Sequence, residues 1–419
     1  MGSVTIRPVD GPSHGTVPSV LVVCPSQRDR LNFADERILD RYALRFAGQP
    51  IDPSFDARTF VDHMIRFGPP ADGIFGSSDA TGHIASILAD VSGLPGPGRD
   101  AFMRCHDKLA SREIQARAVP EATPAFAAVD LDDPDVRPPL PFPFFMKPIA
   151  AHLSQLAYHV HDEAEFAGVI AQARLQIDAI TAHDRALEGR EFRTLIAEEL
   201  LEGSLVTFEG WMQDGRVVPI GVTDAVMHPN GISFLRFEYP SRLPEEPQRA
   251  MADIAARLMP ALGFGDSTFN IEFFVRPDGR PMIIEVNGRM ASQFAPLVAA
   301  VHGVSTYELQ LDLCTGRTPA LPRARDDVVA ASFVLRTYAD AVVRSVPDPS
   351  TVLERYPHAH VEVLVRPGRR LSDYDDDTAS HRLAVVALAA RDRASLLARF
   401  AEAVDLLPFA LEPVRAPVR

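Results

Sequence analysis

The chain has 419 residues, of which 46% are hydrophobic and 23% charged, a globular composition with enough apolar material for two or three domains. A formal net charge of −14 argues against binding a nucleic-acid backbone, and there is no apolar run of about 18 residues to span a membrane and no charged start followed by an apolar stretch to mark a signal peptide. Cys24, Cys105 and Cys314 are few and widely spaced, as expected of buried, reduced thiols in a cytoplasmic protein.

Residues 1–18 are polar and carry Gly and Pro, and are read as a flexible leader. The apolar run Val20–Cys24 predicts a buried strand. Over 35–47, Ile38, Leu39, Tyr42, Leu44 and Phe46 are read as a helix. Gly73–Phe75 is a further short strand, and a helix is expected from about Thr81 to Val91 after Ser77-Ser-Asp79. Strands alternating with helices predict parallel βαβ units that close at Gly93-Leu-Pro-Gly-Pro-Gly98. No glycine-rich dinucleotide fingerprint is present in this lobe.

Residues 100–118 read as one helix carrying Lys108. Residues 129–143 turn acidic and then Pro-rich, a stiff connection rather than an element. Phe144-Phe-Met-Lys147-Pro148 reads as a strand, Leu156–His161 as another, and Asp162 with Glu165 as a capping box for the helix that follows. Of the 42 basic residues only two, Lys108 and Lys147, are lysine. Where arginine serves for every generic positive charge, a surviving lysine suggests a position that needs a compact ammonium. His159 and His161 stand two apart, but with no further soft ligand nearby they read as exposed strand residues.

Residues 192–202 form a strand running into a turn. Val206–Met212 and Val217–Val222 flank Asp214-Gly215 and predict a hairpin. Residues 245–262 read as an amphipathic helix. The most informative stretch follows. Two apolar runs, Ile271–Val275 and Met282–Val286, flank a Pro-Asp-Gly turn, which predicts a second hairpin. Glu272 and Glu285 lie inside those runs, where a lone carboxylate is costly to bury. Asn287 and Arg289 follow Glu285 at spacings of two, so all three side chains leave one face of a strand. If the hairpin closes, Glu272 joins them, and two carboxylates with an amide oxygen make a hard-oxygen site suited to Mg²⁺ and phosphate. Beyond it, Val298–Gly316 reads as a helix, Val328–Leu335, Val361–Val365 and Ala384–Leu388 as strands, Ser395–Ala403 as a closing helix, and Asp373–Asp377 as a solvated loop.

The stretch from Asn270 to Gln293 resembles the metal-binding hairpin of the ATP-grasp superfamily, in which an acidic residue, a turn and Glu-x-Asn-x-Arg follow in that order. The nearest branch is that of carboxylate–amine ligases, close to L-amino-acid (dipeptide) ligases and biotin carboxylase-like proteins. The resemblance implies an α/β fold with α+β lobes: a pre-ATP-grasp domain of parallel βαβ units over 19–99, an ATP-grasp domain over 100–320, and a biotin carboxylase-like α+β lobe over 321–419. It implies Mg²⁺, or Mn²⁺ in its place, on Glu272, Glu285 and Asn287, and Arg289 as the catalytic residue. Asp107-Lys108-x-x-x-Arg112 and the strand ending at Lys147 resemble the family's two nucleotide-lysine motifs, and Glu198, Glu199, Leu201 and Glu202 its adenine hinge. Where relatives carry a glycine-rich phosphate loop, residues 150–156 have no glycine: either Ser154 and Gln155 supply side-chain contacts, or nucleotide closure is altered. The position of the usual ribose-binding acid is Leu205. His228, Arg236, Glu238 and Arg242 resemble the family's substrate-covering segment. The expected reaction phosphorylates a small carboxylate with ATP and passes the acyl group to an amine, with a homodimer unsurprising. A biotin carboxylase-like activity, served by biotin on another protein, and a nucleotide-binding pseudoenzyme are the alternatives.

Overall fold

A computed structural model describes residues 17–52, 54–150, 156–229, 233–374 and 380–414. Most of the expected leader, most of the acidic run Asp373–Asp377, and Ser154 and Gln155 lie outside these. The chain divides into two compact units. The first takes the residues up to Ile220 with Leu243–Ser292 and Tyr307–Pro319; the second takes Gly221–Arg242, Gln293–Thr306 and the residues from Ala320 on.

The first unit opens with a three-stranded parallel sheet. Ser19–Val23, all five residues buried, lies at its centre between Ala43–Ala47 and Gly73–Phe75. The helix Asp79–Ser92 covers it, begun by a reciprocal cap between Ser78 and Thr81 and ended by Gly93 at φ +65°. The expectation of a helix over 35–47 is corrected: helix is confined to Glu36–Leu39, and Ala43–Ala47 is a strand. Tyr42, Leu44 and Phe46 repeat at two, not at three or four, and pairing with a fully buried strand decides the outcome.

The helix expected over 100–118 is two, Arg99–His106 and Lys108–Ala118. Asp107 breaks it with an extended backbone, and its carboxylate caps the second helix through the N–H groups of Leu109 and Ala110. Lys108 is therefore the first residue of a helix. A four-stranded antiparallel sheet follows, in the order Phe126–Asp130, Thr194–Glu199, Phe144–Pro148, Tyr158–Val160. The helix Glu163–Ile180 packs Phe166, Val169, Ile170, Ala173 and Ile177 onto Phe144, Met146 and Val160. Asp162 caps this helix as expected, but Glu165 returns its bond to the N–H of His161 rather than closing a box on Asp162.

The hairpin strands Ser267–Val275 and Pro281–Asn287 pair antiparallel, and Ser204–Gln213 pairs along the outer side of the first. Asp214 and Gly215, at φ +50° and +75°, turn the chain into the strand Arg216–Met227.

In the second unit, residues 221–227 of that strand, then Phe234–Tyr239, Val329–Thr337, His381–Ala390 and His360–Val363, lie side by side as an antiparallel sheet. Half of 223–244 is thus strand, with 230–232 outside the described residues. The helix Arg393–Asp405 packs on this sheet, Phe400 stacked on Phe333 at 3.9 Å and 6°. The helix expected over Val298–Gly316 is interrupted by Gly303 at φ +80°, giving Ala295–His302 and Thr306–Cys314. Among the described residues no helix is long and apolar enough to cross a membrane.

Candidate active site

Register builds the site. Asn270 pairs with Asn287 and Glu272 with Glu285, so all four side chains share one face of the hairpin. The other face holds Ile271, Phe273, Ile283 and Val286, each at most 1% exposed, which anchors the hairpin in the core. Between Glu272 and Phe273 the register slips, so that Phe273 pairs with Ile283 and Ile284 is the extra residue. The Ile283 and Ile284 carbonyls both accept from Arg112 Nη2, at 2.9 and 2.7 Å.

Two half-buried carboxylates directly opposed across strands repel each other. Their surroundings separate them. Burial, followed by the charge of Glu285, raises the pKa of Glu272. Burial acts on Glu285 in the same sense, but Lys108 and Lys147 outweigh it and hold Glu285 below the usual carboxylate value; Lys108 Nζ lies 3.1 Å from Glu285 Oε1. Asn287 Nδ2 donates to Asn270 Oδ1 at 2.9 Å and lies 3.5 Å from Glu272 Oε1. Arg289 Nη2 lies 3.4 Å from Asn287 Oδ1.

The donor set Glu272, Glu285 and Asn287 is all oxygen, and burial together with the facing charge of Glu285 carries Glu272 above its ordinary pKa. A hard divalent cation relieves that repulsion, so the residues present fit Mg²⁺.

The lysines are held from behind. Lys147 Nζ lies 3.0 Å from Glu198 Oε2, and Arg112 Nε donates to Glu198 Oε1 at 2.6 Å. Glu198 is 4% exposed; against its burial, Arg112 and Lys147 lower its pKa to about 2. Arg289 is fixed by a two-pronged pair with Asp79 at the start of the helix Asp79–Ser92, at 2.8 and 3.1 Å. One hairpin face thus gathers two carboxylates, two amides, two lysines and an arginine.

Residues 140–296 match the family model of the ATP-grasp domain. The chain carries an ATP-grasp domain. A D-alanine–D-alanine ligase of Anaeromyxobacter sp. is 28% identical over 239 residues, 53% of this chain and 71% of that protein. An uncharacterized protein of Sinorhizobium fredii is 25% identical over 338 residues; these are 76% of this chain but 64% of the relative, so the match spans just under two thirds of its length. Among solved structures, the L-amino acid ligase from Bacillus licheniformis superposes with a TM-score of 0.76 at 17% identity, over 94% of this chain and 98% of that one. The architecture is the ATP-grasp fold, with a parallel sheet at its N-terminus and large antiparallel sheets after it.

The remaining ATP-grasp expectations fall in two places. Glu198 turns inward to Lys147 and Arg112. Glu199 pairs with Arg276 at 2.6 Å, and its N–H donates to the Ala125 carbonyl. Leu201 is half-buried and Glu202 exposed on the connection after Thr194–Glu199. The other candidates belong to the second unit. There Glu238, 2% exposed, accepts from Arg236 at 2.7 Å and Arg393 at 2.8 Å, with Arg242 3.7 Å away and also 3.6 Å from Asp224. His228 stacks obliquely on Tyr338, ring centres 5.1 Å apart.

Sequence reasoning passed over four residues of the first unit. Asp79 read only as the start of a helix. Arg112 appeared in the lysine motif without a role. Asn270 precedes Glu272 by two, and that period was its signal. Glu209 sits beside Asn270 in the next strand, 2% exposed, accepting a bond from the Ala291 N–H while its Oε2 has no partner. A lone carboxylate inside the apolar run 206–212 was the signal for it.

Proposed function

We propose that the chain is an ATP-dependent carboxylate–amine ligase: ATP phosphorylates the carboxylate of a small acid, of the amino-acid class, and an amine displaces the phosphate to form an amide, releasing ADP and phosphate. The observation that carries this reading is the facing pair Glu272–Glu285, ringed by Lys108, Lys147 and Arg289 on one hairpin face. Glu272, Glu285 and Asn287 would hold Mg²⁺, or Mn²⁺ in its place; bound there, the ion neutralises phosphate charge during transfer. Lys108 and Lys147 would hold phosphate oxygens as compact cations, the second kept in place by Glu198. The hinge from Glu199 to Glu202 would read adenine through its backbone, and Ser154 would add a phosphate contact. Arg289, aimed by Asp79, would stabilise the transferred phosphoryl group and the oxyanion that forms when the amine adds to the acyl phosphate. Arg236, Glu238, Arg242 and His228 would meet the substrates. The enzyme is read as a cytoplasmic homodimer.

Glu285→Gln and Arg289→Ala test the assignment. Each is expected to lower turnover at least 100-fold, the scale of losing one preorganised charge at a transition state, while far-UV circular dichroism and the thermal midpoint stay close to those of the parent. Either variant turning over at a near-parental rate sinks the roles given to these side chains.

A further inference from the structure

A second cluster of ligating side chains lies in the first unit, beginning one helical turn beyond Asp79. It is formed by three helices: Asp79–Ser92 supplies His83, Arg99–His106 supplies His106, and Ala182–Glu188 supplies His183, Asp184 and Glu188. His83 is 1% exposed, Asp184 1% and His106 8%; His183 is half-buried. One ligand atom each from His83, His183 and Asp184 lie within 4.8 Å of one another. His83 Nδ1 faces Asp184 Oδ1 at 3.5 Å.

We propose that His83, His183 and Asp184 bind a divalent cation of the zinc class. Two donors about 2.0–2.1 Å from a tetrahedral ion are roughly 3.3–3.4 Å apart, close to the 3.5 Å between His83 Nδ1 and Asp184 Oδ1. The half-buried His183 would supply the third donor, its ligand atom within 4.8 Å of the other two, and water would complete the tetrahedron. The flanking groups have the arrangement that such an ion requires. His83 turns its other nitrogen, Nε2, to Glu188 Oε1 at 2.8 Å, and Arg99 Nη2 holds that same oxygen at 3.0 Å. With the ion bound, Nε2–H would donate to Glu188 and Nδ1, on the Asp184 side, would take the metal. The outer oxygen of Asp184, Oδ2, is held by His106 Nε2 at 3.1 Å, which leaves Oδ1 on the side of His83. Phe102 stacks on His83 at 5.8 Å and 13° and shields it from water. Two imidazoles and one carboxylate favour Zn²⁺ or its neighbours over Mg²⁺, so the site is chemically distinct from the all-oxygen hairpin. The ion would tie the helix Ala182–Glu188 to the helix that carries Asp79.

The test is metal uptake by the full chain, equilibrated with Zn²⁺ or Co²⁺ in excess Mg²⁺, then passed into metal-free buffer. One equivalent retained by the parent and by Glu285→Gln, with the visible bands of four-coordinate Co²⁺, is the expected result. His183→Gln and Asp184→Asn are expected to lose it, and Glu188→Gln to weaken Zn²⁺ affinity by about 10- to 100-fold, as loss of an orienting partner does. No retained metal in the parent overturns the proposal, as does retention that is lost in Glu285→Gln yet unchanged in His183→Gln and Asp184→Asn. Should the last two variants fail to fold, X-ray absorption of the Zn²⁺-loaded parent decides: imidazole nitrogen in the coordination shell supports the site, and an all-oxygen shell refutes it.

Discussion

Glu198 shows what a single buried carboxylate does here. It touches Lys147 and Arg112, and all three side chains are at most 10% exposed. Glu198→Ala removes the carboxylate that both buried cations touch. Breaking such a cluster from one side costs about 3–5 kcal/mol, so urea unfolding is expected to show a loss of that order; a loss below about 1 kcal/mol would refute this account of Lys147. Glu209 works in the opposite sense. Burial raises its pKa to about 8, against smaller opposing effects of the Ala291 N–H and Arg289, so the folded protein keeps its proton at neutral pH. The unfolded chain releases that proton near 4.3. The contribution of Glu209 is therefore full below about pH 4 and is lost as pH rises to about 8. The stability of Glu209→Gln, set against the parent, is expected to improve steadily between pH 5 and 8. A constant difference over that window would mean that Glu209 is ionised in the fold. At this scale the sequence revealed the hairpin residues, because a spacing of two puts Glu285, Asn287 and Arg289 on a common face that Glu272 joins when the hairpin closes. Asp79 was hidden because its partner Arg289 is 210 residues away, and no local pattern links the two.

The helix Asp79–Ser92 is the element through which the N-terminal lobe reaches Arg289. Its entry is tight: a Cβ on Gly76 would come within 2.2 Å of the Thr81 carbonyl oxygen, so only glycine lets the chain turn from Gly73–Phe75 into the Ser78 cap. Asp79 is a positioning residue here, acting through Arg289. Asp79→Asn keeps a hydrogen-bonding side chain but removes the charge that aims the guanidinium. Its expected effect is a roughly 10-fold fall in kcat with little change in the KM for ATP, since Arg289 is assigned to the transition state rather than to nucleotide binding. A rise in the KM for ATP at constant kcat would contradict that division. Elements with one clear period were legible from sequence, the hairpin above all. Those missed were decided by tertiary pairing or by one cap: Ala43–Ala47 became a strand beside a buried neighbour, and Asp107 split one expected helix in two.

At the scale of the whole molecule, the ATP-grasp fold was readable because its hairpin motif is fixed in order and spacing, and the site it serves is built within the first unit. The identity of the acid and the amine was not readable in this way. The candidate substrate contacts Arg236 and Glu238 sit on a strand that pairs with Val329–Thr337, about a hundred residues on, and Glu238 accepts from Arg393, 155 residues beyond it. The measurement that tests the central claim most directly is product analysis with purified protein, ATP and Mg²⁺ over a panel of amino acids, small acids and amines. The account predicts ADP and phosphate in equal amounts, formed only when an acid and an amine are both present, together with a new amide. AMP and pyrophosphate as products, or ADP release driven by bicarbonate without any amine, would contradict it.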